Sequence, residues 1–482
     1  MYDKYEPVIG LEVHMQLLTK SKAYASDPAA YGAQPNHDVS PITLGHPGTL
    51  PKANKAVIEY AVKLGLAVGS TIRRENQYAR KNYFYADLPK GYQITQDTTP
   101  ICVGGSITIK NPEDGSSKTI NITRIHMEED AGKSIHDQDP FDTLVDLNRA
   151  GIPLLEVVSE PEIRSSAEAY QYLTELRKLV RYLEICDGNM EEGSMRCDAN
   201  VSIRLKGTTV FNQRTEVKNM NSIRNVQRAI DYEVKRQIEE VEAGRKIAGE
   251  TRSFDAVNGS TYAMRTKELA NDYRYFPEPD LQPVIVEKTY VESIREHMPA
   301  LPNQLFHKYT SALGLSEYDA ALITDNKQMA LYFEELISLT PNYKSAVNWM
   351  MGGVKSFMNE HAIEIEDFVL KPTELASLIN LIDTGKISHT IATQKLFPAM
   401  IAKPGSDPAQ IASELNLLLE SSGDALKEWA NAAIAKYPEK VAEYKSGKTG
   451  LLGLFMGELM KQSKGKADPK LADQLLRDML NQ

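Results

Sequence analysis

The sequence predicts an α+β protein in which an antiparallel sheet forms the N-terminal part and two all-helical domains follow. Three observations lead there. Apolar and polar residues alternate with period two near 8–17, 119–127, 152–158, 195–204 and 210–219, as half-buried strands require. From about residue 290 such runs nearly vanish, after the turn-rich Tyr275-Phe-Pro-Glu-Pro-Asp-Leu-Gln-Pro283. The helical remainder is broken at Ala402-Lys-Pro-Gly-Ser-Asp-Pro408, where two prolines, a glycine and a serine interrupt the periodicity. At 482 residues the chain exceeds what one core usually serves, and these breaks place domains at 1–293, 294–405 and 406–482.

Taken in order, residues 8–17 put Ile9, Leu11, Val13, Met15 and Leu17 on one strand face and Glu12, His14 and Gln16 on the other. A carboxylate and an imidazole two residues apart project to the same side and can converge on one ion. Residues 119–127 lead into His126-Met-Glu-Glu-Asp130, acids at the end of a β-branched strand, with the choice between Glu128 and Glu129 left open. The nearby Gly132-Lys133-Ser134 mimics the close of a phosphate loop, but Met127 stands where that motif needs its first glycine. In Ile152-Pro-Leu-Leu-Glu-Val-Val158 a lone Glu156 among aliphatics is costly without a cation or metal beside it.

Two amphipathic helices cover the sheet. One carries Ala169, Tyr172, Leu173, Leu176, Leu179, Val180 and Leu183, and the other runs from Ile223 through Val226, Ile230, Val234, Ile238 and Val241 to a stop at Gly244. Between them, Met195, Cys197, Ala199, Val201 and Ile203 turn inward, and Arg196, Asp198, Asn200, Ser202 and Arg204 share the opposite face. A hairpin to 211–219 would add Arg214, Glu216 and Lys218 to that polar row.

Composition narrows the function classes. A net charge of −10 opposes general affinity for a polyanion, so any RNA contact needs a local basic surface. The tail offers one in Lys445, Lys448, Lys461, Lys464, Lys466, Lys470 and Arg477, diluted by Glu443, Glu458, Asp468, Asp473 and Asp478. Three scattered cysteines, Cys102, Cys186 and Cys197, supply neither a disulfide framework nor a paired zinc knuckle. The longest apolar stretch, Leu451–Met460, is too short to span a bilayer and contains Glu458, and residues 1–6 lack a signal peptide's apolar region. A cytoplasmic protein without a membrane segment is expected.

Several strands thus offer Glu12, His14, Glu128 or Glu129, Glu156, Asp198 and Glu216, interleaved with Arg and Lys. Oxygen ligands favour Mg2+ over zinc, and Mg2+ beside cations is the arrangement that neutralises a nucleotide's phosphates during transfer. The residues themselves therefore point to a metal-nucleotide site on an open sheet.

The same residues resemble the B-subunit family of the aspartyl/glutamyl-tRNA(Asn/Gln) amidotransferase. The matching runs are Val8-Ile-Gly-Leu-Glu-Val-His14, Arg80-Lys-Asn-Tyr-Phe-Tyr85, Leu88-Pro-Lys-Gly-Tyr-Gln93, His126-Met-Glu-Glu-Asp-Ala-Gly-Lys-Ser134, Gly193-Ser-Met-Arg-Cys-Asp-Ala-Asn200, Glu216-Val-Lys-Asn219, Asp272-Tyr-Arg-Tyr-Phe-Pro-Glu-Pro-Asp280 and Asn348-Trp-Met-Met-Gly-Gly353. The resemblance implies an N-terminal cradle similar to the glutamine synthetase and guanido kinase fold, then a helical domain and a helical tail that contacts tRNA. It implies a carbon-nitrogen ligase: ATP phosphorylates the side-chain carboxylate of Glu-tRNA(Gln) or Asp-tRNA(Asn), and ammonia replaces the phosphate. Glutamine hydrolysis would belong to the amidase partner, the A subunit, and the small C subunit would brace the complex. Carried onto this sequence, Glu12, His14, Glu129 and Glu156 match the family's magnesium ligands, and Lys81, Tyr83 and Lys90 lie in the segment resembling its ammonia path. Arg196, Asp198, Glu216 and Lys218 are assigned to the surround of metal and nucleotide.

The sequence departs from the family at one place. Many relatives carry four cysteines as a zinc knuckle around residues 24–44, whereas this chain reads Ala23-Tyr-Ala-Ser-Asp-Pro28 and Ser40-Pro-Ile-Thr-Leu44. No zinc site is expected, and packing must hold the loop, with His37 and His46 structural or solvated. Two other readings stay open: a noncatalytic tRNA-binding scaffold of the same complex, and a free-standing ligase acting on a small acid.

Overall fold

The computed structural model describes residues 2–111, 114–266, 272–419, 423–463 and 465–481. They form two compact units, Met1–Pro302 and Asn303–Gln482. In the first, strand β1 (Tyr5–Gln16) precedes helix α1 (Lys55–Ala67) and the short strands β2 (Ala79–Asn82) and β3 (Tyr92–Thr95). Then come β4 (Ser117–Glu129), β5 (Pro153–Ser159), α2 (Ser166–Tyr182), β6 (Met195–Leu205) and β7 (Thr215–Met220). Helix α3 (Ile223–Glu242) and strands β8 (Glu250–Asp255) and β9 (Ser260–Thr266) follow.

The large sheet runs β9-β8-β7-β6-β1-β5-β4, continued past β4 by Cys102–Val103 and Thr71–Ile72, with Ser106–Lys110 also paired to β4. Its pairs are antiparallel except β7 with β8, which run parallel with Glu216 opposite Thr251. The antiparallel expectation thus meets one exception, made possible because α3 carries the chain back across the sheet between the two strands.

Alternation fixes which face is which. Ile9, Leu11, Val13 and Met15 of β1, Ile125 and Met127 of β4, Leu155 and Val157 of β5, and Met195, Ala199 and Val201 of β6 are all almost completely buried. They share a core with Ala169, Tyr172, Leu173, Leu176 and Val180 of α2 and Val226, Ala229 and Ile230 of α3, each large aliphatic contributing about 1.5–3 kcal/mol. Both helices begin on a serine cap, Ser165 accepting from the Glu168 amide and Ser222 from that of Asn225. The opposite face is free to carry charge.

The hairpin of β6 and β7 is present, but β7 begins only at Thr215, so Phe211–Arg214 belong to the connecting loop and Arg214 does not join the strand's polar row. The pairing slips between Cys197 and Ala199, where Asn219 adopts a left-handed backbone with φ 64°. Asparagine tolerates that conformation, and the bulge sets Lys218 beside Asp198.

Residues 21–46 are pinned by polar contacts. The Asp27 carboxylate accepts from Ser40 Oγ at 2.9 Å and from Thr43 Oγ1. The fully buried Lys22 ammonium donates to the Asp38 carbonyl at 2.6 Å. His37 Nδ1 lies 2.9 Å from Asp38 Oδ1 at the surface, and His46 is exposed.

The second unit is helical, with no strand among its described residues. Its longer helices are α4 (Lys327–Leu339), α5 (Pro372–Asp383), α6 (Gly423–Lys436), α7 (Leu452–Gln462) and α8 (Pro469–Asn481). Leu426 and Ala430 of α6, Phe455 and Leu459 of α7, and Leu476 and Leu480 of α8 close a core of their own. The apolar run at 451–460 therefore buries one face in that core. No helix among the described residues is long and apolar enough to cross a membrane.

Candidate functional site

Strand register builds the site. Arg196 on β6 lies opposite His14 on β1, His14 opposite Glu156 on β5, and Glu156 opposite His126 on β4. Directly opposed residues share a sheet face, so four polar side chains form a row on the side away from the helices. Glu128, two residues beyond His126, joins the same face. Ligand atoms of His14, Glu128 and Glu156 all lie within 4.8 Å of one another. His14 Nε2 is 3.4 Å from Glu128 Oε1 and 3.6 Å from Glu156 Oε2.

Glu129 is elsewhere. It shares the parity of Ile125 and Met127 and so projects through the opposite face, where its carboxylate accepts from the Ile94 amide at 2.9 Å and pairs with Lys90. The expected ligand set is corrected in this respect: Glu128, not Glu129, stands with His14 and Glu156. Lys90 is likewise drawn to that far side, near the rings of Tyr24 and Tyr92. Glu12 faces the same way as His14, one row along and opposite Asp198, but it lies outside the three-residue cluster and accepts from Asn200 Nδ2 at 2.8 Å.

The row faces a cavity of about 620 Å³ into which His14, Glu128, Arg196, Asp198 and Lys218 open, with Lys81 and Tyr83 on its wall. Its charges are matched internally. Arg196 makes a two-pronged pair with Asp130 at 2.8 and 2.9 Å, and Asp130 also accepts from Gln16 at 2.9 Å. Lys218 pairs with Asp198 and, at 3.0 Å, with Glu216. Lys81 Nζ lies 4.9 Å from the centre of the Tyr273 ring, and Tyr83 Oη donates to Gln93 Oε1 at 3.4 Å.

Electrostatics follows from this crowding. Burial opposes a charge on Glu156, but the flanking His126 and His14 outweigh it and hold the carboxyl well below its usual range. Burial works against protonation of His14 and His126, yet Glu156 and Glu128 raise both to about 9. Glu12 moves the other way, raised by burial and by Glu156. The site thus concentrates negative charge that imidazolium balances, the condition under which a divalent cation would be accepted in place of protons. Two carboxylates and one imidazole suit a hard cation that keeps part of its water.

Comparison with known proteins agrees with this architecture. A family model described as GatB/GatE catalytic domain matches residues 7–292, and one described as GatB domain matches residues 331–480. The B subunit of the aspartyl/glutamyl-tRNA(Asn/Gln) amidotransferase from Caldicellulosiruptor saccharolyticus is 48% identical over 480 residues, covering 99% of both chains. Its counterpart from Geotalea uraniireducens is 49% identical over 481 residues, 99% of this chain and 100% of its own. The chain belongs to the amidotransferase B-subunit family.

Within that family frame, the structure adds residues to which sequence alone gives no role. His126 is 5% exposed, its Nε2 lies 2.8 Å from Glu156 Oε2 and 3.6 Å from Glu128 Oε2, and its Nδ1 is buried without a hydrogen-bond partner among the described residues. A signal for it is present: Arg124, His126 and Glu128 alternate with Ile125 and Met127, which assigns the face once the apolar pair is taken as the core side. Asp130 is in sequence only a member of a motif, and its pairing with Arg196 depends on a strand far away along the chain. In the tail, Lys448 pairs with Glu443 and Arg477 with Asp473, while Lys464 lies outside the described residues.

Proposed function

We propose that this chain is the ATP-dependent transamidation subunit of a cytoplasmic aminoacyl-tRNA amidotransferase that acts on Glu-tRNA(Gln), Asp-tRNA(Asn) or both. The observation that carries this reading is the meeting of His14, Glu128 and Glu156 over a cavity that Arg196, Lys218 and Lys81 also enter. A carboxylate is a poor acyl donor, because its leaving group would be oxide. In the proposed reaction a side-chain carboxylate oxygen of the substrate bonds to the γ-phosphorus of ATP and ADP departs. Ammonia nitrogen then bonds to the acyl carbon, the bond to the phosphate oxygen breaks, and nitrogen loses one proton.

His14, Glu128 and Glu156 would hold Mg2+, with Glu12 beside them. Bound Mg2+ supplies positive charge against the phosphate oxygens. Arg196 and Lys218 flank the same space, and their heads would turn from Asp130 and Asp198 toward the phosphate oxygens. Lys81 and Tyr83 on the cavity wall suit the entry of ammonia made by the amidase partner, with Lys90 and Glu129 behind Gln93, whose Nε2 donates to the Glu129 carbonyl at 2.5 Å. Similarity of the cradle to the glutamine synthetase and guanido kinase fold, bracing by the small C subunit, and tRNA contact through residues 406–482 belong to the same reading.

The test is Glu128→Gln in the complex reconstituted with the amidase and the small partner, supplied with mischarged tRNA, glutamine and ATP. Amidated tRNA should fail to form while the complex still assembles. Unchanged turnover would leave the chain a noncatalytic tRNA-binding scaffold.

A further inference from the structure

A smaller cavity of about 280 Å³ adjoins the charged one, and Lys133 and Glu192 line both. A knot around Asp130 separates the two spaces. Gln16 Nε2 donates to its carboxylate at 2.9 Å, and Arg149 Nε lies 3.6 Å from the same oxygen, which Arg196 holds at 2.8 Å. Gln16 and Arg149 border the smaller cavity, Asp130 and Arg196 the larger. Arg149 also donates to the carbonyls of Ala131 at 3.0 Å and Gly132 at 2.7 Å, which fixes the chain just before Lys133.

At this junction two opposite charges are left over. Asp146, opposite Lys133 in the strand pairing, accepts instead from the amides of Asn36 and Asn148, each at 3.0 Å. The amides of Glu191 and Glu192 donate to Asn189 Oδ1 at 3.0 and 3.2 Å, which holds that turn through its backbone and leaves the Glu192 carboxylate to solvent. Lys133 and Glu192 are both exposed and form no ion pair among the described residues, whereas Arg196 and Lys218 in the larger cavity are paired. A ligand that carries an ammonium and an anion a few bonds apart matches them. An aminoacyl ester at the end of a tRNA has both, in its α-ammonium and the phosphate of the terminal nucleotide; a free acidic amino acid has both as well, in its α-ammonium and α-carboxylate. The smaller cavity favours the first source. It continues past the two charges along Ala29, Ala30 and Ala33, and Tyr31, 80% exposed, presents a ring there. A nucleoside uses that space and that ring, and a free amino acid does not.

We infer that Glu192 and Lys133 read the esterified end of the substrate: Glu192 takes the α-ammonium of the aminoacyl group, Lys133 takes the phosphate of the terminal nucleotide, and the nucleoside enters the smaller cavity against Tyr31. The inference rests on the function proposed above and adds how the acyl group is aimed. With the ammonium held at the junction, the side-chain carboxylate extends into the larger cavity toward His14 and Glu128, where it is activated.

Glu192→Gln, Lys133→Met and Tyr31→Ala are measured in the full complex. Each should raise KM for the mischarged tRNA about three- to fivefold, the scale of one contact at a solvent-exposed rim, with KM for ATP as in the unaltered complex. N-acetylation of the mischarged tRNA removes the ammonium charge. It should raise KM by a similar factor in the unaltered complex and in Lys133→Met, and add nothing in Glu192→Gln, because a lost partner cannot be lost twice. Lys133→Met should also lower the salt dependence of KM for tRNA by about one phosphate contact. Free glutamate or aspartate in large excess should leave amidation of the tRNA unchanged. Unchanged KM for tRNA in any of the three variants overturns the proposal, as does an acetylation penalty that persists in Glu192→Gln. An equal rise in KM for ATP would make these residues structural, and competition by the free amino acids would give the charge pair to them; either result overturns it too. If the unaltered complex forms amidated tRNA without ATP, the function proposed above fails; if ATP is required and the variants behave as the parent, only the roles given to Glu192, Lys133 and Tyr31 fall.

Discussion

The polar face of the sheet and the surface of the tail helices are both rich in paired acids and bases, yet they differ in what surrounds the pairs. On the sheet, His126, Glu128 and Glu156 are all under 10% exposed and come from different strands or alternate positions of one strand. On α8, Arg477 and Asp473 sit one helical turn apart at 2.7 Å, with about half of each side chain in solvent. Water screens the second kind of pair, and its loss costs little. In the first kind, removing a member whose partner has no second counter-charge strands a buried charge, which costs about 3–5 kcal/mol, whereas His14 and His126 each touch two carboxylates. Composition counts the two alike; burial separates them.

The sharpest way to break this contrast lies in two neighbouring residues. Glu128→Gln should lower ATP-dependent amidation about 10²- to 10³-fold, the effect of losing a charge aimed at the reacting centre, with the urea midpoint moved far less. Glu129→Gln should do the reverse: it leaves Lys90 without its buried partner and should cost about 3 kcal/mol of stability, with kcat of the folded protein within a few-fold of the parent. Paired activity and denaturation measurements decide this. Loss of catalysis on Glu129→Gln, with Glu128→Gln unaffected, would mean that the parity of β4 has been misassigned.

How much of this is legible in the sequence depends on the residue. The period-two runs locate β1, β4, β5 and β6 to within about three residues, because one face of each is largely apolar. β8 and β9, Glu250–Asp255 and Ser260–Thr266, carry charged and hydroxyl residues at both parities, so their place at the sheet edge is decided by the parallel pairing with β7 and not by local pattern. Glu12, His14 and Glu156 are readable as lone charges among aliphatics. Glu129 comes from the family resemblance, while the local alternation of Ile125 and Met127 points to Glu128. Alternation alone extends β7 back to Phe211, too far: before Thr215 the chain is tied to β6 through side chains, Ser202 Oγ donating to the Asn212 carbonyl and Asn212 Nδ2 to the Ile203 carbonyl.

His126 sharpens the comparison at the next scale. It lies between Glu128 and Glu156 and orients both, so its effect should be on ion binding and not on tRNA. His126→Asn should raise the magnesium concentration giving half-maximal amidation about 10- to 100-fold, as loss of a residue that orients metal ligands does, with KM for tRNA unchanged. An equal fall in kcat at saturating magnesium would make it part of the reacting centre instead.

Lys22 tests burial without catalysis. Burial lowers its ammonium to about 8, against the pull of Asp27, Asp38, Glu129 and Asp146. An unfolded lysine holds its proton to about 10.4, so above pH 8 the unfolded chain binds more protons here than the folded one. Stability contributed at this position therefore rises as pH climbs from 8 toward 10 and is flat below. Urea midpoints of the parent and Lys22→Met at pH 7, 8, 9 and 10 should diverge in the parent's favour only above 8. Parallel curves would mean that Lys22 stays charged in the folded state throughout.

The smallest effect is expected where the contrast began. Asp473→Asn removes one partner of a solvent-screened pair on α8 and leaves Arg477 free to solvate, so the melting temperature should not move. Freed from its acid, Arg477 becomes a more available cation on the tail, and tRNA affinity at low salt should rise slightly if residues 406–482 face the nucleic acid, with a steeper salt dependence. A melting temperature that drops as far as it does for Glu129→Gln would show that the pair is not screened as its exposure implies, and the distinction between the two regions would then have to rest on geometry alone.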